Sequence, residues 1–140
     1  MAGSVWGRLL SPHSTSLTKA NAALRTMHEL SIAMSIVEMA EEEAKRHRGK
    51  ITAVHLKLGA LSGVIKSALL SSYEIACEDT PLAGSRLVVE ELPIVVFCKK
   101  CGARRSIASP LWFCCPECSM PAQEVVQGKE LEVVALEIQS

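Results

Sequence analysis

The sequence predicts a small α/β (α+β) fold: a sheet of about three strands, two helices on one face of it, and an inserted four-cysteine module resembling a zinc ribbon. Three observations predict it. Apolar residues recur at helical spacing over 30–44 and again over 65–76. Residues 51–58 alternate with period two, and further β-rich runs stand at 87–91 and 130–138. Two Cys-x-x-Cys motifs lie between the last two runs. A chain of 140 residues has room for one core of ordinary size, so the Cys motifs belong to a module set into a single domain.

In chain order, residues 1–26 come first. Ser4, Ser11, Ser14, Thr15, Ser16 and Thr18 stand there with Arg8, Lys19 and Arg25 and no acid. Such a stretch buries little and is expected to be a loosely ordered extension. Translation starting at Met27 accounts for the composition equally well. A transit peptide would share the acid-poor, Ser-rich bias, but the stretch has only two Arg and no clear amphipathic repeat, which makes that the weaker reading. The helix that follows places Leu30, Ala33, Met34, Val37, Ala40 and Ala44 on one stripe, widened by Ile32, Ile36 and Met39. Ser31, Ser35, Glu38, Glu42 and Lys45 lie opposite. Glu41 with Lys45 and Glu42 with Arg46 are spaced as ion pairs, each contributing about 0.2–0.5 kcal/mol. Lys45, Arg46 and Arg48 suit the helix dipole, and Gly49 is expected to supply the left-handed cap.

The strand at 51–58 sets Thr52, Val54, Leu56 and Leu58 on one face and His55 and Lys57 on the other. Gly59 to Gly63 turns the chain. Ile65, Leu69, Ser72, Tyr73 and Ala76 give a second helix, with Cys77 packed inside and Thr80-Pro81 as its stop. A strand at 87–91, a break at Pro93, and a run from Ile94 to Phe97 lead to the first thiol pair. The strand at 130–138 returns to the sheet. Strand, helix, strand predicts parallel pairing by a right-handed crossover. The expected organisation is therefore 1–26 as extension, 27–96 with 122–140 as the α/β domain, and 97–121 as the zinc module.

Cys98-Lys99-Lys100-Cys101 and Cys115-Pro116-Glu117-Cys118 put two thiol pairs on tight turns 13 residues apart. Each turn can aim two sulfurs at one ion while its backbone amides support them. Disulfides or redox dithiols are the competing reading, and the doubled spacing favours Zn2+ bound by Cys98, Cys101, Cys115 and Cys118. Cys114 adds a fifth thiol beside Cys115. Four protein ligands leave no open coordination place, so such a zinc is structural and the chain is expected not to be an enzyme. No phosphate loop or nucleophile motif appears.

Composition narrows the classes further. Fifteen Lys and Arg balance fifteen Asp and Glu, which removes the positive field that most nucleic-acid binders need. Lys99, Lys100, Arg104 and Arg105 cluster at the first thiol pair. A zinc-ribbon module for nucleic acid or protein is thus the alternative function, with a solvated rim as the plainer account of those charges. No seven-residue apolar run occurs in 1–26, and no run of eighteen anywhere, so no membrane anchor is expected and a cytoplasmic location is. Thiols kept reduced there remain free for metal.

The chain resembles the HypA/HybF family of hydrogenase nickel incorporation proteins. The resemblance rests on Met27-His28-Glu29-Leu30-Ser31-Ile32-Ala33, Gly59-Ala60-Leu61-Ser62-Gly63-Val64, the two Cys pairs, and Gly128-Lys129-Glu130-Leu131-Glu132-Val133. It implies a metallochaperone that carries Ni2+ to the [NiFe]-hydrogenase large-subunit precursor with the GTPase HypB, some members also serving urease and its accessory proteins. In that family Met-His-Glu opens the mature chain as a nickel site, which maps nickel to His28 with Glu29 in support, and four Cys hold structural zinc. This chain departs from the pattern in three places: 26 residues precede the motif, Ser119-Met120 stands where Gly-Ser is usual, and Cys114 is additional.

The residues by themselves also allow a capping box, with Thr26 at the N-cap and Glu29 three places on, which would make His28 an ordinary first-turn residue. Chemistry favours nickel once a free amine is near. An imidazole at the second residue closes chelate rings with the terminal amine and the intervening amide, and planar nitrogen donors suit Ni(II). The other histidines are weaker candidates: His13 lies in the extension, His47 ends a helix, and His55 is on the polar side of a strand.

Overall fold

The computed structural model describes residues 8–10 and 28–139. Helix α1, Glu29–His47, starts behind His28, whose extended backbone (φ −78°, ψ 162°) makes it the N-cap. The Ile32 amide donates to the His28 carbonyl at 2.8 Å. This overturns the capping-box reading, because Glu29 is the first helical residue and stands two places too early to be the acceptor partner. Thr26 lies outside the described residues, and no side chain caps the helix. At the other end Arg48, not Gly49, takes the left-handed conformation (φ 49°). Gly49 is needed for space instead, since a Cβ there would run into Ile138 Cγ2.

The buried stripe of α1 is Ile32, Ala33, Ile36, Val37, Met39 and Ala40. Leu30 and Met34, expected in the core, are 46% and 58% exposed. The helix touches both the sheet and the second helix, which centres its covered face on Ala33, Ile36 and Ala40. Nor do the expected ion pairs form: Glu43 takes both Arg46 (3.0 Å) and His47 (3.6 Å).

Strand β2, Lys50–Gly59, helix α2, Lys66–Cys77, and strand β3, Arg86–Leu92, form the expected crossover. β2 and β3 are parallel, in register from Ala53 opposite Arg86 to Gly59 opposite Leu92. Ile65, expected in the core, is the α2 N-cap and 63% exposed. Leu69, Tyr73 and Cys77 form the buried side of α2. On β2 the inward set is Ile51, Val54, Leu56 and Leu58. Thr52 drops out because the ladder to the last strand shifts register between Ile51 and Ala53, and one extra residue reverses which face the chain presents.

That last strand, β7 (Leu131–Gln139), lies antiparallel to β2, burying Leu131, Val133, Leu136 and Ile138. Its outer edge carries β1, Arg8–Leu10, antiparallel with Leu9 opposite Glu137. The sheet order is β1-β7-β2-β3. It thus has four strands, against the three expected, because three residues of the extension pair with an edge that would otherwise leave its amides and carbonyls open. Both helices pack on the face that presents Ile51, Val54, Leu56, Leu58, Leu87 and the inward residues of β7, in one core.

A second antiparallel sheet carries the Cys pairs. β4, Ile94–Cys98, is flanked by β5, Ala103–Ile107, and β6, Glu124–Gln127. It extends past the 97–121 limits suggested by the Cys spacing. Its core is small: Ile94, Val96 and Ile107, with Leu61, Phe113, Ala122 and Val125 packed against them. Where the sheets meet, backbone bonds run from Gly59 N–H to Glu130 O (2.7 Å) and from Leu61 N–H to Gly128 O (2.6 Å), while Ala60 N–H to Leu92 O (3.0 Å) extends the β2–β3 ladder.

Candidate metal centre

Both Cys pairs sit on turns of the same kind. Cys98 ends β4, and the Gly102 amide closes the turn on its carbonyl at 2.8 Å. The Cys101 amide donates to Cys98 Sγ at 3.4 Å. In the second turn the Ser119 amide donates to the Cys115 carbonyl at 2.8 Å, and the Cys115 amide to Met120 O at 2.8 Å. The residue after each second Cys is left-handed: Gly102 at φ 64° and Ser119 at φ 61°. Gly takes this conformation freely, whereas Ser with its Cβ is strained there by about 1–2 kcal/mol. The departure at Ser119 therefore keeps the turn at a cost.

The turns bring four sulfurs together. Cys98 Sγ lies 3.5 Å from Cys118 Sγ, and Cys101 Sγ lies 3.9 Å from Cys115 Sγ. All four fall within 4.8 Å of one another. A zinc tetrahedron with bonds of about 2.3 Å has sulfur–sulfur edges of about 3.8 Å. A disulfide needs about 2.05 Å, which none of these pairs approaches, and all six thiols are free. The arrangement therefore fits one tetrahedral ion and leaves no ligand place for substrate. Cys114 stands outside the group of four; its backbone bridges to Pro121.

The metal-free thiols share charge unequally. Burial raises the Cys115 thiol, but the amides of Cys118 and Glu117 and the thiols of Cys118 and Cys98 outweigh that and hold it down at about 6. For Cys118 the Met120 amide acts downward, while burial and donation to Cys98, Cys101 and Cys115 prevail and push it up to about 11. One thiolate among hydrogen-bonded thiols is a preformed seat for a cation.

Arg105 is the residue that sequence reasoning misplaced. Grouped with Lys99, Lys100 and Arg104 as a solvated rim, it instead lies on the inward side of β5 beside Cys101 and Cys115, whose sulfurs hold its guanidinium above the usual range. Strand alternation could have found it, because Arg104 and Ser106 are exposed while Arg105 is half-buried. Between the two turns, Leu111 and Trp112 stand 93% and 66% exposed.

At the other candidate site, His28 is exposed and its side chain caps nothing. Glu29 follows, half-buried, as the first helical residue. The first four amides of a helix have no partner within it, and among the described residues no side chain caps the head of α1. Met27 and His13 lie outside the described residues. His47 pairs with Glu43, and His55 meets Glu137 Oε2 at 3.0 Å on the polar face of the sheet. The four cysteines are the only group of three or more potential metal ligands drawn together among the described residues.

A small α/β domain whose four thiols stand at the spacing of a tetrahedral ion defines the class as metal-binding. Residues 27–138 match the family described as "Hydrogenase/urease nickel incorporation, metallochaperone, hypA", and the chain belongs to this HypA family. A hydrogenase maturation factor HypA of Chloroflexus aurantiacus is 51% identical over 112 residues, covering 79% of this chain and 98% of its own. One from Chloroflexus aggregans is 46% identical over 112 residues, covering 79% and 98%. The solution structure of the Ni metallochaperone HypA from Helicobacter pylori is 26% identical, with a TM-score of 0.56 over 81% of this chain and 99% of that one.

Proposed function

We propose that this chain is a nickel metallochaperone for the maturation of [NiFe] hydrogenases, with nickel as cargo at His28 and zinc as a resident structural ion at Cys98, Cys101, Cys115 and Cys118. One observation carries the nickel reading: the family match begins at Met27, beside a His28 that is exposed and not engaged as a cap. With an amine at Met27, the imidazole and the intervening amides offer Ni(II) a planar nitrogen set, and Glu29 adjusts charge and orientation. A site at the exposed head of a helix can pass its ion on, whereas a closed four-thiolate site retains it.

The receiving partner in this reading is the hydrogenase large-subunit precursor, with the GTPase HypB assisting and urease accessory proteins as a second route, all in the cytoplasm. The chain itself performs no catalysis. The zinc module, with Leu111 and Trp112 open to solvent, supplies a surface for such partners. Calorimetric titration of Ni(II) into three proteins tests the site: the 140-residue chain, the chain begun at Met27, and the latter with His28→Ala. Tight one-to-one binding is expected only for the chain begun at Met27. Equal affinity in the long and short forms would exclude the amine as ligand. Tight binding by His28→Ala would remove nickel from this end of the chain.

A further inference from the structure

A charged side chain turned into a protein interior is retained where it finds a partner of opposite charge. In the β4–β5 hairpin the cross-strand pairs Ile94 with Ile107, Val96 with Arg105, and Cys98 with Ala103 share one face. Ile94, Val96, Cys98 and Ile107 on that face are buried. Arg105 is the one charged residue among these six. Its neighbour Arg104 points out to water, so the inward position is a feature of Arg105 and not of the basic run. The guanidinium reaches the sulfurs of Cys101 and Cys115. Its Nε is buried and unpartnered, which leaves the sulfurs as the groups that repay its burial.

We propose that Arg105 is a positioning residue of the zinc site: it donates hydrogen bonds to the thiolates of Cys101 and Cys115 and offsets part of the charge they bring. This rests on the reading of the four cysteines as zinc ligands. Four thiolates on Zn2+ leave a net charge of −2 in a small module, and a guanidinium against two of the sulfurs lowers it to −1. The hydrogen bonds are charge-assisted, and a planar fork can hold two acceptors at once, which an ammonium does less well. Donation to a thiolate also withdraws electron density, so Cys101 and Cys115 become poorer nucleophiles than Cys98 and Cys118.

The test uses the full chain loaded with zinc. Zinc affinity is measured by competition with a chromophoric chelator, and alkylation of each cysteine by iodoacetamide is followed by mass spectrometry. Arg105→Met, which keeps volume and loses every donor, is expected to lower zinc affinity about 10–100-fold, as loss of outer-shell partners typically does. It should speed alkylation of Cys101 and Cys115 selectively. Arg105→Lys should recover part of both, and Arg104→Met should change neither. Where Arg105→Met fails to fold, Arg105→Leu, which likewise has no donor, is read in its place. Unchanged affinity, or equal acceleration at all four cysteines, would overturn the proposal, the latter by showing general loosening. A wild-type chain that holds no zinc would overturn the four-cysteine reading and the proposal with it.

Discussion

Removing zinc is expected to unfold one sheet and spare the other. The α/β core contains nineteen buried residues, whereas the module's contains three, Ile94, Val96 and Ile107. At about 1.5–3 kcal/mol per fully buried aliphatic side chain, those three contribute about 5–9 kcal/mol. Structural zinc in comparable small modules supplies about 10–16 kcal/mol of apparent binding energy, more than this entire module core. Cys118→Ala, or stripping the wild type with a chelator, should therefore melt residues 94–127 while β2, β7 and α1 stay folded. The hydrogen bonds at Gly59 and Leu61 should fray along with the module, because their acceptors, Glu130 and Gly128, border it. Hydrogen exchange read by mass spectrometry separates the two regions. Amides of Ile94–Ile107 and Glu124–Gln127 should exchange near the rate of an unfolded chain, and those of Ile51–Leu58 should remain protected. Persistent protection of β4 in the zinc-free protein would refute the argument and show that the strand ladders and three side chains suffice.

Further outcomes follow from the same geometry. Zinc binding should release protons at pH 7, because Cys118, at about 11, is protonated there while Cys115, at about 6, is already thiolate. Below pH 6 one further proton, that of Cys115, must be displaced, so affinity should fall more steeply; titration calorimetry in buffers of different ionisation enthalpy gives the count. Ser119→Gly should relieve the left-handed strain at φ 61° and stabilise the zinc-loaded protein by about 1 kcal/mol, seen as a rise in Tm of roughly 4 °C. Gly59→Ala should cost about 1–3 kcal/mol from overpacking alone, since its Cβ would strike the Gly128 carbonyl, which is backbone and cannot rotate away. Gly63→Ala meets no atom within 4 Å and loses only what its φ of 79° demands, so a Gly59→Ala variant melting above Gly63→Ala would contradict this reading of the joint between the sheets.

Much of this protein was determined by local sequence. Period-two alternation marked β2, helical spacing marked α1 and α2, and the crossover between β2 and β3 implied their parallel pairing, because each depends on neighbours a few residues apart. The Cys-x-x-Cys pairs marked the four sulfurs that the fold brings together for the same reason: a tight turn brings its own two sulfurs together. The family resemblance over the motifs from Met27 onward supplied the nickel reading, which no spacing within the chain carries.

Tertiary structure decided the rest. Whether Leu30 and Met34 lie in the core depends on how α1 is rotated against α2 and the sheet, which its own periodicity leaves open by one residue step. Thr52 lost its inward place to a bulge whose cause lies in the pairing with β7, about 85 residues away. β5 and β6 escaped notice because short strands rich in Arg, Glu and Gln carry little apolar alternation. β1 likewise exists as a strand through its pairing to Leu136–Ile138 and not through its composition. Arg105 shows the difference most clearly. In the sequence it is the fourth charge of a basic run, and in the folded chain it is the one that faces the sulfurs, because a strand sends successive side chains to opposite sides and only the hairpin's pairing to β4 says which side is inside.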